Sequence, residues 1–137
     1  MVYSLGFIEH FINWDQVLIK HCNLIKPGGM LLIETPNYAG LFQKILHKFL
    51  DGEGYKRHNI SSMNVDKWAK LVEANGFKVL NKSYFSGWEY WVEPQKRNWI
   101  QEYFLRVLWR NKKIMQKYLN GNKRLYSPLC GIIAVKL

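Results

Sequence analysis

The sequence predicts an α/β domain whose sheet is largely parallel, and three observations favour that fold class. Short apolar runs alternate with amphipathic stretches in the order strand, helix, strand, helix, helix, strand, helix, strand. Each of the first two strands runs into a turn-forming residue, Gly6 for the first and Pro36 for the second. The 137 residues are 48% hydrophobic, which is enough for a modest core. We therefore expect residues 1–137 to form a single domain.

The first third of the chain contains two predicted strands with a helix between them. Residues 1–6 form the first strand, and Asn13 or Asp15 can start the helix. The apolar face of this helix consists of Trp14, Val17, Leu18, Cys22 and Ile25. Pro27-Gly28-Gly29 then ends the helix and turns the chain, and Met30 to Glu34 follows as a buried strand.

Two helices follow in the middle of the chain. Residues 39–50 carry apolar side chains at helical spacing and predict an amphipathic helix, which Asp51-Gly52-Glu53-Gly54 ends. A loop is expected from there through Ser62. Asn64 then caps the next helix, and Gly76 closes it. The inward face of that helix is formed by Val65, Trp68, Ala69 and Val72.

The last third of the chain is predicted to hold a strand at Phe77 to Phe85, a long helix over residues 96–119 and a final strand at Leu129 to Val135. This part also carries nearly all of the net charge of +10. Residues 1–93 contain ten Lys/Arg and nine Asp/Glu, whereas residues 94–137 contain ten Lys/Arg and one acid. The basicity is therefore local and needs its own explanation.

Lysine and arginine recur along the helix predicted over residues 96–119 in steps of four, three and four, which makes a cationic stripe. The stripe consists of Arg106, Arg110, Lys113 and Lys117. Tryptophan and tyrosine side chains interleave with it. Such a surface suits nucleic acid phosphates, an anionic surface such as a membrane, or an acidic acceptor. The alternative is that the stripe is simply the solvated face of a helix that packs by its other side, and such a face needs no partner. No RNA-binding signature is present, so we do not expect a nucleic acid partner.

The composition argues against several classes of protein. No apolar run approaches the roughly 20 residues that cross a bilayer, and the start of the chain lacks a basic leader and a cleavage pattern. Cys22 and Cys130 lie far apart without a CxxC motif, which predicts two reduced thiols in a cytoplasmic protein. No histidine, cysteine and aspartate spacing matches a structural zinc site, so His47 and His58 are weak signals.

Ligands bind outside the carboxyl ends of the strands in open parallel sheets, and two unusual junctions of this chain fall there. Gly6 follows the first strand, and Thr35-Pro36-Asn37 follows the second. A glycine lets the backbone approach a ligand closely. Glu9 and His10 come just after Gly6, and their position makes them candidates for ligand contact. The alternative is that Glu9 caps a helix and His10 packs under a loop.

Four motifs in this order resemble the second half of a class I S-adenosylmethionine-dependent methyltransferase. They are Gly6-Phe7-Ile8-Glu9-His10-Phe11, Leu24-x-x-Pro27-Gly28-Gly29, Pro36-Asn37 and Trp68-x-x-x-Val72-x-x-x-Gly76-Phe77-x-Val79. The resemblance covers residues 1–93. It implies a partial Rossmann-like sheet in which the last strand lies antiparallel between its neighbours, and it implies S-adenosylmethionine as cofactor.

The resemblance also implies roles for the residues after the first strand. Backbone at Ser4 and Leu5 would line the methionine end of the cofactor, and Gly6 would leave room beside the methyl group. Glu9 and His10 would lie near the acceptor as catalytic residues. A neutral imidazole there could take a proton from a hydroxyl acceptor, although many methyl transfers need only proximity and alignment.

Acceptor recognition falls to the segments in which the family varies. Asn37 and Tyr38 are the predicted substrate contacts, and residues 39–62 and 86–124 would set the identity of a small-molecule or saccharide-type acceptor. Some members, the quinone O-methyltransferases, use an acidic residue three positions before the Glu-His pair to hold a divalent metal. That position is Gly6 in this chain, so the resemblance implies no metal.

The departure from the family concerns the first three strands, which carry the glycine-rich loop and the acidic residue that holds the ribose. No GxGxG sequence occurs in the 137 residues. We therefore interpret the chain as part of a longer enzyme, and we expect its first strand to expose an edge through which it can self-associate. The alternative is a non-catalytic, truncated module that binds nucleic acid or an anionic surface through helix 96–119.

Overall fold

A computed structural model describes residues 1–137 and contains four strands and five α-helices. The strands are β1 (Val2–Leu5), β2 (Met30–Pro36), β3 (Phe77–Phe85) and β4 (Leu129–Lys136). The helices are α1 (Trp14–Asn23), α2 (Leu41–Leu50), α3 (Gly52–Lys56), α4 (Val65–Ala74) and α5 (Trp99–Tyr118). Short 3-10 turns span Ile8–His10 and Ile60–Ser62. The predicted order of elements is confirmed, with α3 added.

Helix α3 corrects the expectation of a loop after residue 50. Asp51 ends α2 as predicted, but its side chain also accepts a hydrogen bond from the backbone N–H of Gly54 at 3.2 Å and caps a new helix. A Cβ atom on Gly54 would lie 2.6 Å from the Asp51 carboxylate oxygens, so only glycine allows this close approach. The second helix therefore follows the first without a connecting loop.

The sheet has the strand order β1-β2-β4-β3. β1 pairs parallel with β2, while β4 lies antiparallel between β2 and β3. Three of the four strands therefore run in one direction, and the last strand lies antiparallel between its neighbours, as the resemblance implied. β1 is an edge strand. Its register places Ser4 opposite Ile33 and Leu5 opposite Glu34 at the carboxyl ends of the two parallel strands.

The main core lies on one face of the sheet, under α1 and α4. Leu18 and Cys22 of α1 pack with Trp68 and Val72 of α4 against the buried face of β2 and β4. The Asn64 side chain caps α4 by accepting hydrogen bonds from the backbone N–H groups of residues 66 and 67, which confirms the predicted start of this helix. Packing of α1 and α4 in this core therefore fixes the positions of the strands from which the loops at the sheet edge emerge.

A smaller cluster joins α2 to α5. Leu46 and Leu50 of α2 pack against Tyr90 and against the side of α5 that carries Leu105 and Leu108. None of the twenty residues of α5 is fully buried. No helix of the structure has both the length and the apolar composition needed to cross a membrane.

Candidate functional site

The chain turns sharply where β1 ends. Gly6 adopts φ +61°, a left-handed conformation that favours glycine, and its backbone N–H donates to the carbonyl oxygen of Glu34 at 2.9 Å. A Cβ atom at Gly6 would lie 3.5 Å from Oε1 of Glu9. The turn at Gly6 therefore brings the Glu9 side chain back beside the end of the strand from which the chain has just emerged.

Glu9 is fully buried, and neither of its carboxylate oxygens has a hydrogen-bond partner. Burial raises the pKa of the Glu9 carboxyl. Because neither carboxylate oxygen accepts a hydrogen bond, Glu9 caps no helix, and that alternative is wrong. An unpartnered buried carboxyl costs free energy in the isolated fold, and such groups concentrate where a protein has a use for them.

His10 lies at the surface and faces a loop that is distant in sequence. Its ring centroid is 4.8 Å from that of His58, and its Nδ1 atom is 3.4 Å from the carbonyl oxygen of Arg57. His10 therefore contacts a loop, as the alternative expected, but its ring stays exposed. The exposed ring leaves one side of the imidazole accessible to a ligand.

His58 completes a cluster with Glu9 and His10. One ligand-type atom from each of these three residues lies within 4.8 Å of the other two. The Nδ1 atom of His58 is 2.6 Å from the carbonyl oxygen of Gly54. A carbonyl only accepts, so Nδ1 carries the proton and Nε2 keeps its lone pair. Burial lowers the pKa of the His58 ring and favours this neutral form.

His58 is only a weak signal in the sequence, because a lone histidine is seldom a ligand and 48 residues separate it from His10. The structure brings it to the site through α3, whose last turn supplies the carbonyl group that orients its ring. The local sequence signal for α3 is the pair Asp51 and Gly54, whose hydrogen bond caps the helix.

Asn37 ties the end of β2 to the segment before β4. Its side-chain amide donates to the carbonyl oxygens of Arg124 at 2.9 Å and Ser127 at 2.8 Å, and its backbone N–H donates to Pro128. The Asn37 Oδ1 atom is buried without a partner. These contacts give Asn37 a structural role, and a substrate contact through its free oxygen stays a prediction.

Tyr38 is buried in an aromatic cluster, where its ring centroid lies 3.9 Å from that of His47 and 4.9 Å from that of His58. Burial raises the pKa of the Tyr38 hydroxyl. His47 is itself buried, and its Nδ1 is 3.3 Å from a carboxylate oxygen of Asp51. Tyr38 thus packs against the rings of both His47 and His58. Its predicted contact with a substrate is not tested by this arrangement.

Ser4 and Leu5 lie at the carboxyl end of β1, where the prediction concerned their backbone. The Ser4 hydroxyl is buried and has no partner, whereas the Leu5 side chain is exposed at the sheet edge. Eight buried side-chain atoms of the chain lack a hydrogen-bond partner, and four of them lie at or beyond the carboxyl ends of β1 and β2. These four atoms are Ser4 Oγ, both Glu9 carboxylate oxygens and Asn37 Oδ1.

The most enclosed surface depression lies elsewhere. It opens on the uncovered face of the sheet and is lined by residues of β2, β3 and β4, among them Leu32, Ser83 and Ile133. No titratable side chain other than Glu34 lines it. The chemistry-bearing side chains therefore gather at the sheet's carboxyl edge and not in this depression.

Comparisons with known proteins agree with this fold. The sequence model of a family described as "Methyltransferase domain" matches residues 1–112. Among solved structures, a SAM-dependent methyltransferase from Archaeoglobus fulgidus is similar, with a TM-score of 0.56 and 20% sequence identity over 98% of this chain. The match spans 58% of the length of that protein. No curated protein matches the sequence.

Proposed function

This chain belongs to the methyltransferase domain family, and from that premise we propose that it forms the acceptor side of a methyl transfer from S-adenosylmethionine. The observation that carries the proposal is the group of unpartnered buried polar atoms at or beyond the carboxyl ends of β1 and β2. Ligands of open α/β sheets bind at that edge. The proposed acceptor is a small molecule or saccharide with a nucleophilic oxygen or nitrogen.

The proposed cofactor contacts are at the end of β1. Backbone of Ser4 and Leu5 would meet the methionine part of the cofactor, and Gly6 would leave space beside the methyl group. Gly6 suits this role because its left-handed turn places no side chain between the strand end and Glu9. In the reaction the methyl carbon leaves the sulfonium sulfur and bonds to the acceptor, and S-adenosylhomocysteine is released.

Glu9 and His10 are proposed to act on the acceptor atom. A hydroxyl acceptor must lose its proton as the methyl group arrives, and His10 has an exposed ring beside the buried Glu9 carboxyl. Alignment of the two reactants supplies the rest of the rate enhancement. Asn37 and the segments 39–62 and 86–124 are proposed to shape the acceptor pocket.

Incubation with methyl-labelled S-adenosylmethionine tests this function. The protein is purified through a C-terminal tag from the cells that make it, so that its natural length and partners are kept. We expect label to pass to a hydroxyl- or amine-bearing small molecule of the cell extract. Failure of the label to leave the cofactor, with any extract fraction, would contradict the proposal.

Further polypeptide is proposed to complete the cofactor site along the edge of β1. The outer side of β1 is unpaired, and the side chains of Tyr3, Leu5 and Phe7 are exposed beside it. Open edges of this kind pair with other strands. We expect the isolated chain to self-associate there. A sedimentation mass that stays at the 16.3 kDa of one chain at rising concentration would contradict this expectation.

A second function is proposed for α5, namely binding to an anionic membrane surface. The helix packs by the side that carries Leu105 and Leu108, so its other side is free. That free side holds both the cationic stripe and large apolar side chains. Among the exposed residues are Trp99 (79%), Tyr103 (66%), Ile114 (55%) and Tyr118 (74%). Mixed basic and aromatic helices lie in the headgroup region of anionic bilayers.

The vesicle-binding prediction concerns the four residues of the stripe. Replacing Arg106, Arg110, Lys113 and Lys117 by Glu is expected to abolish co-sedimentation with vesicles that contain phosphatidylglycerol, because repulsion replaces attraction. A control with the same charge change replaces the exposed Lys20, Lys26, Lys70 and Lys78 by Glu. Equal loss in both variants, or binding to nucleic acid but not to vesicles at low salt, would contradict the proposal.

Two buried cysteines support a cytoplasmic location, which we also propose. Cys22 and Cys130 are both free, and burial raises the pKa of each thiol. Free structural thiols of this kind persist in reducing compartments. Detection of either residue in a disulfide in protein isolated under thiol-blocking conditions would contradict the location.

A further inference from the structure

We infer that Glu9, His10 and His58 form a binding site for a divalent first-row metal ion such as Zn²⁺. The three side chains come from two separate turns of the chain, one after β1 and one after α3. Each offers a ligand atom within 4.8 Å of the other two. Two imidazoles and one carboxylate are a donor set that binds such ions and leaves coordination positions open for a further ligand.

The orientation of the two histidine rings is the first argument for the site. The Nδ1 atoms of His58 and His10 face the backbone carbonyl oxygens of Gly54 and Arg57, at 2.6 Å and 3.4 Å. Because a carbonyl oxygen only accepts, Nδ1 carries the proton in both rings, and Nε2 keeps the lone pair that can bind a metal ion. Metal-binding histidines are held in this way, with the second ring nitrogen donating to a carbonyl or carboxylate.

The buried carboxylate of Glu9 is the second and independent argument. Both of its oxygens lack a protein partner, although the residue is fully buried and most buried polar atoms are paired. A bound cation supplies the missing partner, because it turns an unpaired buried carboxylate into a ligand. The Gly6 turn places this carboxylate beside the strand end, where a Cβ atom added at residue 6 would lie 3.5 Å from Oε1.

The dimensions and access of the site fit an ion. Zn–N distances of 2.0–2.1 Å imply ligand atoms about 3.3 Å apart, so the ligand atoms, which lie within 4.8 Å of one another, would approach by up to about 1.5 Å through side-chain rotation. His10 is exposed and His58 is half-buried, which gives an ion a path from solvent. Of the other polar side chains nearby, His47 pairs with Asp51 at 3.3 Å and Arg57 pairs with Glu93, and neither belongs to the cluster.

The role of the ion, unlike its binding, rests on the proposed function. A divalent cation acts as a Lewis acid and lowers the pKa of a bound hydroxyl group. At this position it would mediate the contact between Glu9, His10 and the acceptor oxygen. The resemblance implied no metal, because Gly6 occupies the position of an acidic ligand. The third ligand of the inferred site is instead His58, which comes from another part of the chain.

Titration with Co²⁺ tests the site without using methyl transfer as the readout. The visible absorption of Co²⁺ reports nitrogen coordination, and Zn²⁺ should displace it. We expect one ion to bind per chain, and we expect His58→Gln and Glu9→Gln each to weaken binding at least tenfold. His21→Gln is the matched control, because His21 also has its Nδ1 against a backbone carbonyl, that of Val17 at 2.7 Å, but has no ligand neighbours.

Two results would overturn the metal site. One is the absence of a visible Co²⁺ band with the wild-type chain at millimolar metal. The other is equal binding by the wild type and by His58→Gln. Far-UV circular dichroism shows that each variant is folded, and a misfolded His58→Gln is replaced by His58→Asn. Methyl transfer that proceeds while Co²⁺ fails to bind would reject the metal site and leave the proposed function standing.

Discussion

The Glu9→Ala, His10→Ala double variant is expected to lose at least a hundredfold of its methyl-transfer rate. Proton removal by a positioned side chain contributes roughly 10²–10⁴-fold to catalysis. Glu9 and His10 are the residues proposed to act on the acceptor, and the double variant also removes two ligands of the inferred metal site. The fold should survive, because Glu9 is an unpartnered buried carboxyl and His10 is exposed. The measurement is production of S-adenosylhomocysteine at saturating cofactor, with the protein purified from its own cells.

The control for this prediction separates the acceptor side from the cofactor side. S-adenosylhomocysteine should bind the double variant within a few-fold of its wild-type affinity, since Ser4, Leu5 and Gly6 are unchanged. His21 lies outside the cluster, so the His21→Ala variant should keep a methyl-transfer rate near that of the wild type. Unchanged turnover in the double variant would remove Glu9 and His10 from the mechanism.

Replacement of Trp68 by alanine is expected to lower the free energy of unfolding by about 3–5 kcal/mol. Trp68 is fully buried in the core between α4 and the sheet, and its indole N–H donates to the carbonyl oxygen of Ser62 at 2.6 Å. The variant loses that packing and also the indole hydrogen bond, although the Ser62 carbonyl oxygen keeps the backbone N–H of Asn64 as a donor at 3.0 Å. Domains of this size are stable by about 5–15 kcal/mol, so the loss is a large part of the total.

Urea unfolding followed by circular dichroism measures the effect. Trp99→Ala is the matched control, because Trp99 is 79% exposed at the start of α5. We expect that control to change stability by no more than about 0.5 kcal/mol. Similar midpoints for Trp68→Ala and the wild type would mean that the core is not where the structure places it.

The arrangement of strands and helices could be predicted because the local signals and the fold agree. The apolar face of α1, the Asn64 cap and the Gly76 turn each appear in the sequence and in the structure. The antiparallel position of β4 came from the resemblance, since no local pattern states which strands become neighbours. Local chemistry thus predicts elements, and knowledge of a family is needed for their order in the sheet.

The site could be predicted only in part. Gly6, Glu9 and His10 lie within a five-residue segment that begins at the end of the first predicted strand, so the position of that strand was enough to indicate them. His58 could not be found, because its position depends on the unexpected helix α3 and on the Asp51 cap. The sequence does not indicate that Tyr38 is buried, for a similar reason: the rings packed around it belong to His47, Tyr55 and His58, which follow it in α2, α3 and the segment after α3.

The most direct test of the cofactor site is calorimetric titration of S-adenosylhomocysteine into the protein purified, with its partners, from its own cells. We expect saturable binding at micromolar concentration with one S-adenosylhomocysteine per chain. Adenosine alone should bind at least tenfold more weakly, because the backbone at Ser4 and Leu5 is proposed to meet the methionine end. No binding heat at 1 mM S-adenosylhomocysteine would contradict the assignment of a cofactor site to the end of β1.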